Sequence, residues 1–160
     1  MAFKVRKSES RRWPVTVKLL ESDAAGVVVE NEQTFVALWR PVTEAERVEI
    51  AKALEEKFGG ADAAKLTAAD MLARNADYFG RLLVGWGDEV VDESGQPIPF
   101  SVERLTEMIT GLDGLAISAA LNQADLEIRL GFGARKNAST SPAPGEASGA
   151  GEAETNSPTT

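Results

Sequence analysis

An α+β chain, mainly helical, is expected from three features of this sequence. A β-branched stretch runs from Trp13 to Trp39; four segments follow in which apolar residues recur every three or four positions; and the last 23 residues, Ala138 to Thr160, are almost entirely Ala, Ser, Thr, Pro, Gly and Glu. The expected organisation is a β-element over residues 1–41, a helical domain over 42–137 and a disordered tail over 138–160.

The β-element comes first. Pro14-Val15-Thr16-Val17-Lys18-Leu19-Leu20 is rich in strand formers, Ser22-Asp23-Ala24-Ala25-Gly26 has turn chemistry, and Val27–Val29 with Thr34–Trp39 supplies the return. This predicts an antiparallel hairpin or small meander. Pro14 and Pro41 bracket it, as expected for a residue confined to strand starts, edges and element boundaries.

Thr43-Glu44-Ala45-Glu46 opens the first helix with a capping box, Thr43 as N-cap and Glu46 three positions on. The spacing of Ala45, Val48, Ala51, Leu54 and Phe58 assigns those residues to the buried face and leaves Glu44, Arg47, Glu55 and Lys57 in water, until Gly59-Gly60 ends the helix. A second helix starts at Thr67, with Asp70 at the capping-box distance, and is expected to run through Leu72, Tyr78, Phe79, Leu82 and Leu83 to Trp86 and stop at Gly87. Ser-Gly and two prolines make residues 88–100 a turn-rich linker. Ser101 then caps a short helix, Val102 to Thr110, closed by Gly111, and a last helix spans Gly114 to Leu130, ending at Gly131-Phe132-Gly133. The tail cannot bury enough apolar surface to offset an ordering cost of roughly 1–2 kcal/mol per residue.

Composition narrows the chemistry. The 160 residues are 43% hydrophobic and include no Cys and no His. That removes disulfides, thiolate nucleophiles, imidazole metal sites and the Ser-His-Asp triad. Carboxylate acid–base work, Lys or Tyr chemistry and oxygen-ligated Mg²⁺ or Ca²⁺ remain. No apolar stretch follows the basic N-terminus as in a secretory signal, and none is long enough to cross a membrane, so a cytosol is the expected compartment.

Charge is polarised within the net −8. Residues 1–18 carry Lys4, Arg6, Lys7, Arg11, Arg12 and Lys18 against Glu9 alone, net +5, which leaves −13 on the other 142 residues. A solvated terminus accounts for the basic segment, and an acidic protein makes nucleic acid an unfavourable partner; a nucleic-acid accessory role would need those residues on one exposed stripe. Asp88, Glu89, Asp92 and Glu93 form the densest acidic cluster, the place where a Mg²⁺-dependent enzyme would keep its metal, with Asp88, Asp92 and Glu93 as ligands. The spacing does not match a calcium loop, and solvated loop charge is the better explanation. Gly80–Gly87 and Gly131–Gly133 lack the Gly-Lys-Ser/Thr of a phosphate loop. Trp13 and Trp39 flank the β-element as a candidate core pair, while Trp86 stands before the acidic loop.

One stretch is similar to a known family. Leu82-Leu-Val-Gly-Trp86-Gly-Asp-Glu-Val-Val-Asp92-Glu-Ser-Gly95-Gln-Pro97-Ile-Pro-Phe100-Ser101-Val-Glu103-Arg-Leu105 resembles the tail assembly chaperones of long-tailed, siphovirus-like bacteriophages. In those small helical proteins a helix ending in Gly-Trp precedes an acidic Asp-x-x-Gly turn, a proline-bearing stretch with Phe-Ser and a helix beginning Ser-x-Glu-x-Leu. The terminal Arg135-Lys136-Asn137 looks similar too, whereas the N-terminal β-element departs from the wholly helical members.

The resemblance implies a non-enzymatic role in the host cytoplasm, without cofactor or metal. Such a chaperone coats the long tape measure protein, recruits the tail-tube subunits of the major tail protein and leaves before the virion is complete. An apolar groove on an acidic helical domain suits amphipathic helices of a partner, and self-association is a further expectation. The contact strip expected from the sequence is Phe79, Leu83 and Trp86 with Ile98 and Phe100, residues that equally fit a core. Many such families also make a longer product by ribosomal frameshifting. Lys136-Asn137, where the body gives way to the tail, is what the slippery heptamer A AAA AAC encodes in frame.

Overall fold

Along the first strand, β1 (Arg11–Ser22), Val15 and Val17 are buried while Thr16 and Lys18 are exposed; along the second, β2 (Val28–Trp39), Phe35, Ala37 and Trp39 are buried. This period of two makes one face of an antiparallel hairpin apolar, in a register that sets Val15 opposite Phe35 and Trp13 opposite Ala37. The turn works as its residues require: Asp23 Oδ1 accepts from Ala25 N at 2.8 Å and Val27 N at 2.9 Å, and Gly26 has φ 79°. The computed structural model describes residues 1–3, 5, 9–59 and 64–131. Lys4, Arg6, Lys7, Lys136-Asn137 and the tail from Ala138 lie outside them.

Four helices follow: α1 (Glu44–Phe58), α2 (Ala68–Leu82), α3 (Val102–Thr110) and α4 (Gly114–Leu130). Both capping boxes form, Thr43 with Glu46 and Thr67 with Asp70, and Gly59 closes α1 at φ 75°. Ser101 Oγ accepts from Arg104 N to start α3. The architecture is the expected mixed α+β one, a hairpin-based sheet followed by four helices.

The second helix is shorter than its apolar spacing predicts. It ends at Leu82, and Leu83–Trp86 forms a third strand, β3, antiparallel to β2, with Trp86 opposite Ala37 and Leu83 opposite Trp39. The sheet order is β1-β2-β3. Hydrogen bonding to a partner more than 40 positions earlier outweighs the local helical pattern. The β-element and the helical region therefore share one sheet and one core. Its largest fully buried side chains are Phe79, Leu82, Leu105, Ile109, Leu121 and Val15.

The helical face of α1 also differs from the spacing. Ile50 and Leu54 are buried, while Val48 is 53% exposed and Ala45 and Ala51 face water. Arg47, expected in water, turns inward with its side chain only 12% exposed.

Candidate functional site

Arg47 turns inward because an acid waits for it. Asp125, on the core-facing stripe of α4 between Leu121 and Ile128, accepts from Arg47 Nη1 at 3.0 Å and Nη2 at 2.8 Å, a bidentate pair. Tyr78 of α2 completes the group: its hydroxyl accepts from Arg47 Nη1 at 2.7 Å and donates to Asp125 Oδ2 at 2.8 Å. Three helices are thereby joined by one polar network.

Burial decides its electrostatics. Desolvation and the neighbouring Asp125 carboxylate push the Tyr78 hydroxyl up to about 12, so it stays a donor at any physiological pH. Burial works against the Arg47 charge, but hydrogen bonds and attraction from Asp125 more than offset it and raise its pKa above the ordinary value. Tyr78 and Arg47 therefore both keep their protons near neutrality. Arg47 Nε and Trp39 Nε1 are buried without a hydrogen-bond partner among the described residues, the nearest acid, Glu44 Oε1, standing 3.8 Å from Arg47 Nε.

Above this network lies a groove of about 600 Å³ between α1, α2 and α4. Leu54, Leu66, Met71 and Leu126 give it an apolar floor, with Met71 54% and Leu126 45% exposed, and Arg74 and Arg129 stand in its walls. Arg129 reaches Glu44 at 3.0 Å; Arg74 makes no ion pair with any described residue. A second groove of similar size, between α1, α2 and α3, differs in that its charges satisfy one another, Asp77 bonding both Lys57 and Arg81. Of these two grooves, the α1/α2/α4 one offers apolar surface beside an uncommitted cation, Arg74.

Two of the five residues in the strip expected from the sequence, Phe79 and Leu83, are core. Phe79 is fully buried and Leu83 is 3% exposed, Phe79 packing edge-on against Trp39 with ring centres 6.2 Å apart, so neither can meet a partner in this fold. The cause is β3: turning the chain into a strand after Leu82 folds this segment onto the sheet. Trp86, Ile98 and Phe100 are half-buried and hold one another. The Trp86 ring meets Phe100 edge-on at 4.8 Å, and its Nε1 donates to the Ile98 carbonyl at 2.7 Å, clamping the linker to β3.

The acidic loop is also committed to structure. Asp92 Oδ1 accepts from Ser94 N, Ser94 Oγ and Gln96 N, which holds its carboxyl below the usual range and shapes a small turn closed by the Val91–Pro97 bridge. Glu89 folds back so that Oε1 accepts from Val36 N at 2.6 Å, over Gly87, where a Cβ would stand 1.9 Å from Glu89 Oε2. Asp88, Asp92 and Glu93 are not gathered, and among the described residues no three carboxylates converge to hold a metal ion. Trp13 and Trp39 share a sheet face; Trp39 is core, while Trp13 is half-buried and donates to Glu127 at 2.8 Å. Of the basic segment, Arg11 and Arg12 are exposed on β1, and Lys18 lies 3.4 Å from both Glu30 and Glu32. No described helix is long and apolar enough to cross a membrane.

Sequence reasoning missed Arg47, Arg74 and Asp125. A signal existed for two of them: Arg47 precedes Ile50 and Leu54 by three and seven positions, and Asp125 follows Leu121 by four. Opposite charges on two apolar stripes mark a buried pair. In comparisons with known proteins the chain matches no family model, no curated protein and no solved structure.

Proposed function

We propose that this protein is a non-enzymatic tail assembly chaperone of a long-tailed bacteriophage, which binds the tape measure protein and recruits tail-tube subunits in the host cytoplasm. The observation that carries the reading is the α1/α2/α4 groove, whose half-exposed Met71 and Leu126 are flanked by Arg74 and Arg129. An apolar floor with polar walls is the form that receives one face of an amphipathic helix. Methionine adapts to varied side chains, as a protein that must hold many successive segments of one long partner requires. Weak contacts repeated along that partner sum to avidity without any deep site. The similarity of Leu82–Leu105 to the chaperone family supplies the identity of the partner.

Co-expression with candidate phage tape measure proteins, followed by affinity capture, tests the proposal. Capture by the native chain, lost on Met71→Glu with Leu126→Glu while the fold is retained, is the expected result. No capture by the native chain contradicts the function; capture unaffected by the double substitution removes the groove from it. The frameshifted longer product has its own check in the nucleotide sequence, where codons other than AAA-AAC or AAA-AAT at Lys136-Asn137 remove the argument for a slip at that place.

A further inference from the structure

The sheet has an open edge, and hydrogen bonds elsewhere reveal which main-chain groups line it. Val36 sends its N–H to Glu89 Oε1 at 2.6 Å and receives Gly87 N at its carbonyl at 3.0 Å, both on the side away from β1. Its partner across β1/β2 is Pro14, which has no N–H to give. Pro14–Val36 is thus a pair without mutual hydrogen bonds. Because the two kinds of pair alternate, the even-numbered residues of β1 point their N–H and C=O groups outward. Thr16, Lys18, Leu20 and Ser22 all present both groups at the edge, and among the described residues no strand pairs with them.

The distal part of the hairpin is also apolar beyond what a free arm needs. Leu20 is 75% exposed and Val28 65%, on the face away from the helices, with Val27 and Val29 beside them. Natural edge strands are commonly blunted by lysine or proline. Pro14 blocks one end of this edge. Lys18 does not block the other, because Glu30 and Glu32, each 3.4 Å away, already neutralise it.

We propose that this edge pairs antiparallel with β1 of a second copy of the chain, Leu19 opposite Leu19 across a two-fold axis, joining two sheets into one of six strands. The register follows from exclusion. Lys18 opposite Lys18 sets like charges together; moving the strands toward the N-terminus places Pro14 where a donor is needed; moving them the other way loses bonding pairs beyond Ser22. With Leu19 on the axis, Lys18 faces Leu20 of the second copy and Thr16 faces Ser22, giving about eight main-chain hydrogen bonds, close to the number a typical interface carries. Across the outer face the row then reads Glu30, Leu20, then Lys18 and Glu32 of the second copy, so no like charges are adjacent. A closed isologous pair covers the β1 edge of both copies at once, so this pairing stops at two chains.

Sedimentation equilibrium of the full chain over about 5–200 µM, with two kinds of variant, tests this pairing. The native chain is expected to be a dimer. Leu20→Pro removes an outward donor, as Pro14 already does without harm to the β1–β2 ladder, and is expected to weaken dimerisation at least about tenfold with an unchanged far-UV spectrum. The chain has no cysteine, so Leu19→Cys is expected to form a disulfide-linked dimer on mild oxidation, its Cα atoms lying about 4.5 Å apart in this register. Glu21→Cys, which faces Val17 of the second copy, is expected not to cross-link. A native chain that stays monomeric, a folded Leu20→Pro that dimerises equally well, or Glu21→Cys cross-linking as fast as Leu19→Cys would each overturn the pairing. The cysteine pair decides the matter should Leu20→Pro fail to fold.

Discussion

Removing Asp125 tests the polar network that joins α1, α2 and α4. Its carboxylate accepts three hydrogen bonds, at 3.0 and 2.8 Å from Arg47 and 2.8 Å from Tyr78, and the two charged side chains are 12% and 8% exposed. Asp125→Ala therefore leaves an arginine charge out of water without its counter-ion, a change that costs about 3–5 kcal/mol when a buried pair is broken. Against a domain stability of about 5–15 kcal/mol, that is a large share. For a folded body of this size, 1 kcal/mol moves the melting temperature by about 3–5 °C, so a fall of about 9–25 °C is expected. Replacing both partners, Arg47→Met with Asp125→Leu, removes the stranded charge and is expected to recover most of the loss. Urea unfolding of the native chain, both single variants and the double variant measures the coupling directly. A loss below about 1 kcal/mol for Asp125→Ala, or strictly additive single effects, would refute a buried, mutually dependent pair.

Other expectations follow from single contacts. Gly114→Ala places a Cβ 2.0 Å from the Ile109 carbonyl oxygen, a backbone atom that cannot swing aside, so a loss of more than about 2 kcal/mol is expected in chemical unfolding. Thr43→Ala and Thr67→Ala each remove a capping hydrogen bond and should cost about 1 kcal/mol, additively, since the two caps start different helices. Trp86→Phe keeps an aromatic ring beside Phe100 but loses the bond to the Ile98 carbonyl; a cost of about 1–2 kcal/mol is expected, with the 88–100 linker becoming more susceptible to limited proteolysis. Tyr78 has a folded pKa raised above its unfolded one, so the stability it contributes is full below pH 10 and is lost as pH rises toward 12. Asp77 is the opposite case. Burial opposes its charge, but Lys57 and Arg81 lower its pKa overall, and its contribution is lost as pH falls below about 4. A plot of urea midpoint against pH should thus be flat near neutrality and fall at both ends, and the alkaline fall should shrink in Tyr78→Phe.

Local chemistry announced the helix starts well. Thr43/Glu46, Thr67/Asp70 and Ser101 all cap where their spacing places them, because a cap depends on residues within one turn. The end of α2 was not legible in the same way. Leu82, Leu83 and Trp86 continue a helical spacing, and only the pairing of Leu83–Trp86 with β2 turns that run into a strand. The same event moved Phe79 and Leu83 from a supposed contact strip into the core. The face of α1 is not set by its apolar spacing alone: Val48 stays 53% exposed, whereas Arg47 is turned inward by an acid 78 positions away, which no local pattern reveals. The groove is visible only once three helices from distant parts of the chain are brought together.

Titration of the isotopically labelled chain with a helical segment of the tape measure protein, followed by amide chemical shifts, tests the proposed function most directly. Binding in the groove predicts shifts concentrated at Leu54, Leu66, Met71, Arg74 and Leu126, with the buried network beneath them less affected. Absence of saturable shifts across all segments, or shifts confined to residues remote from the α1/α2/α4 groove, would contradict it.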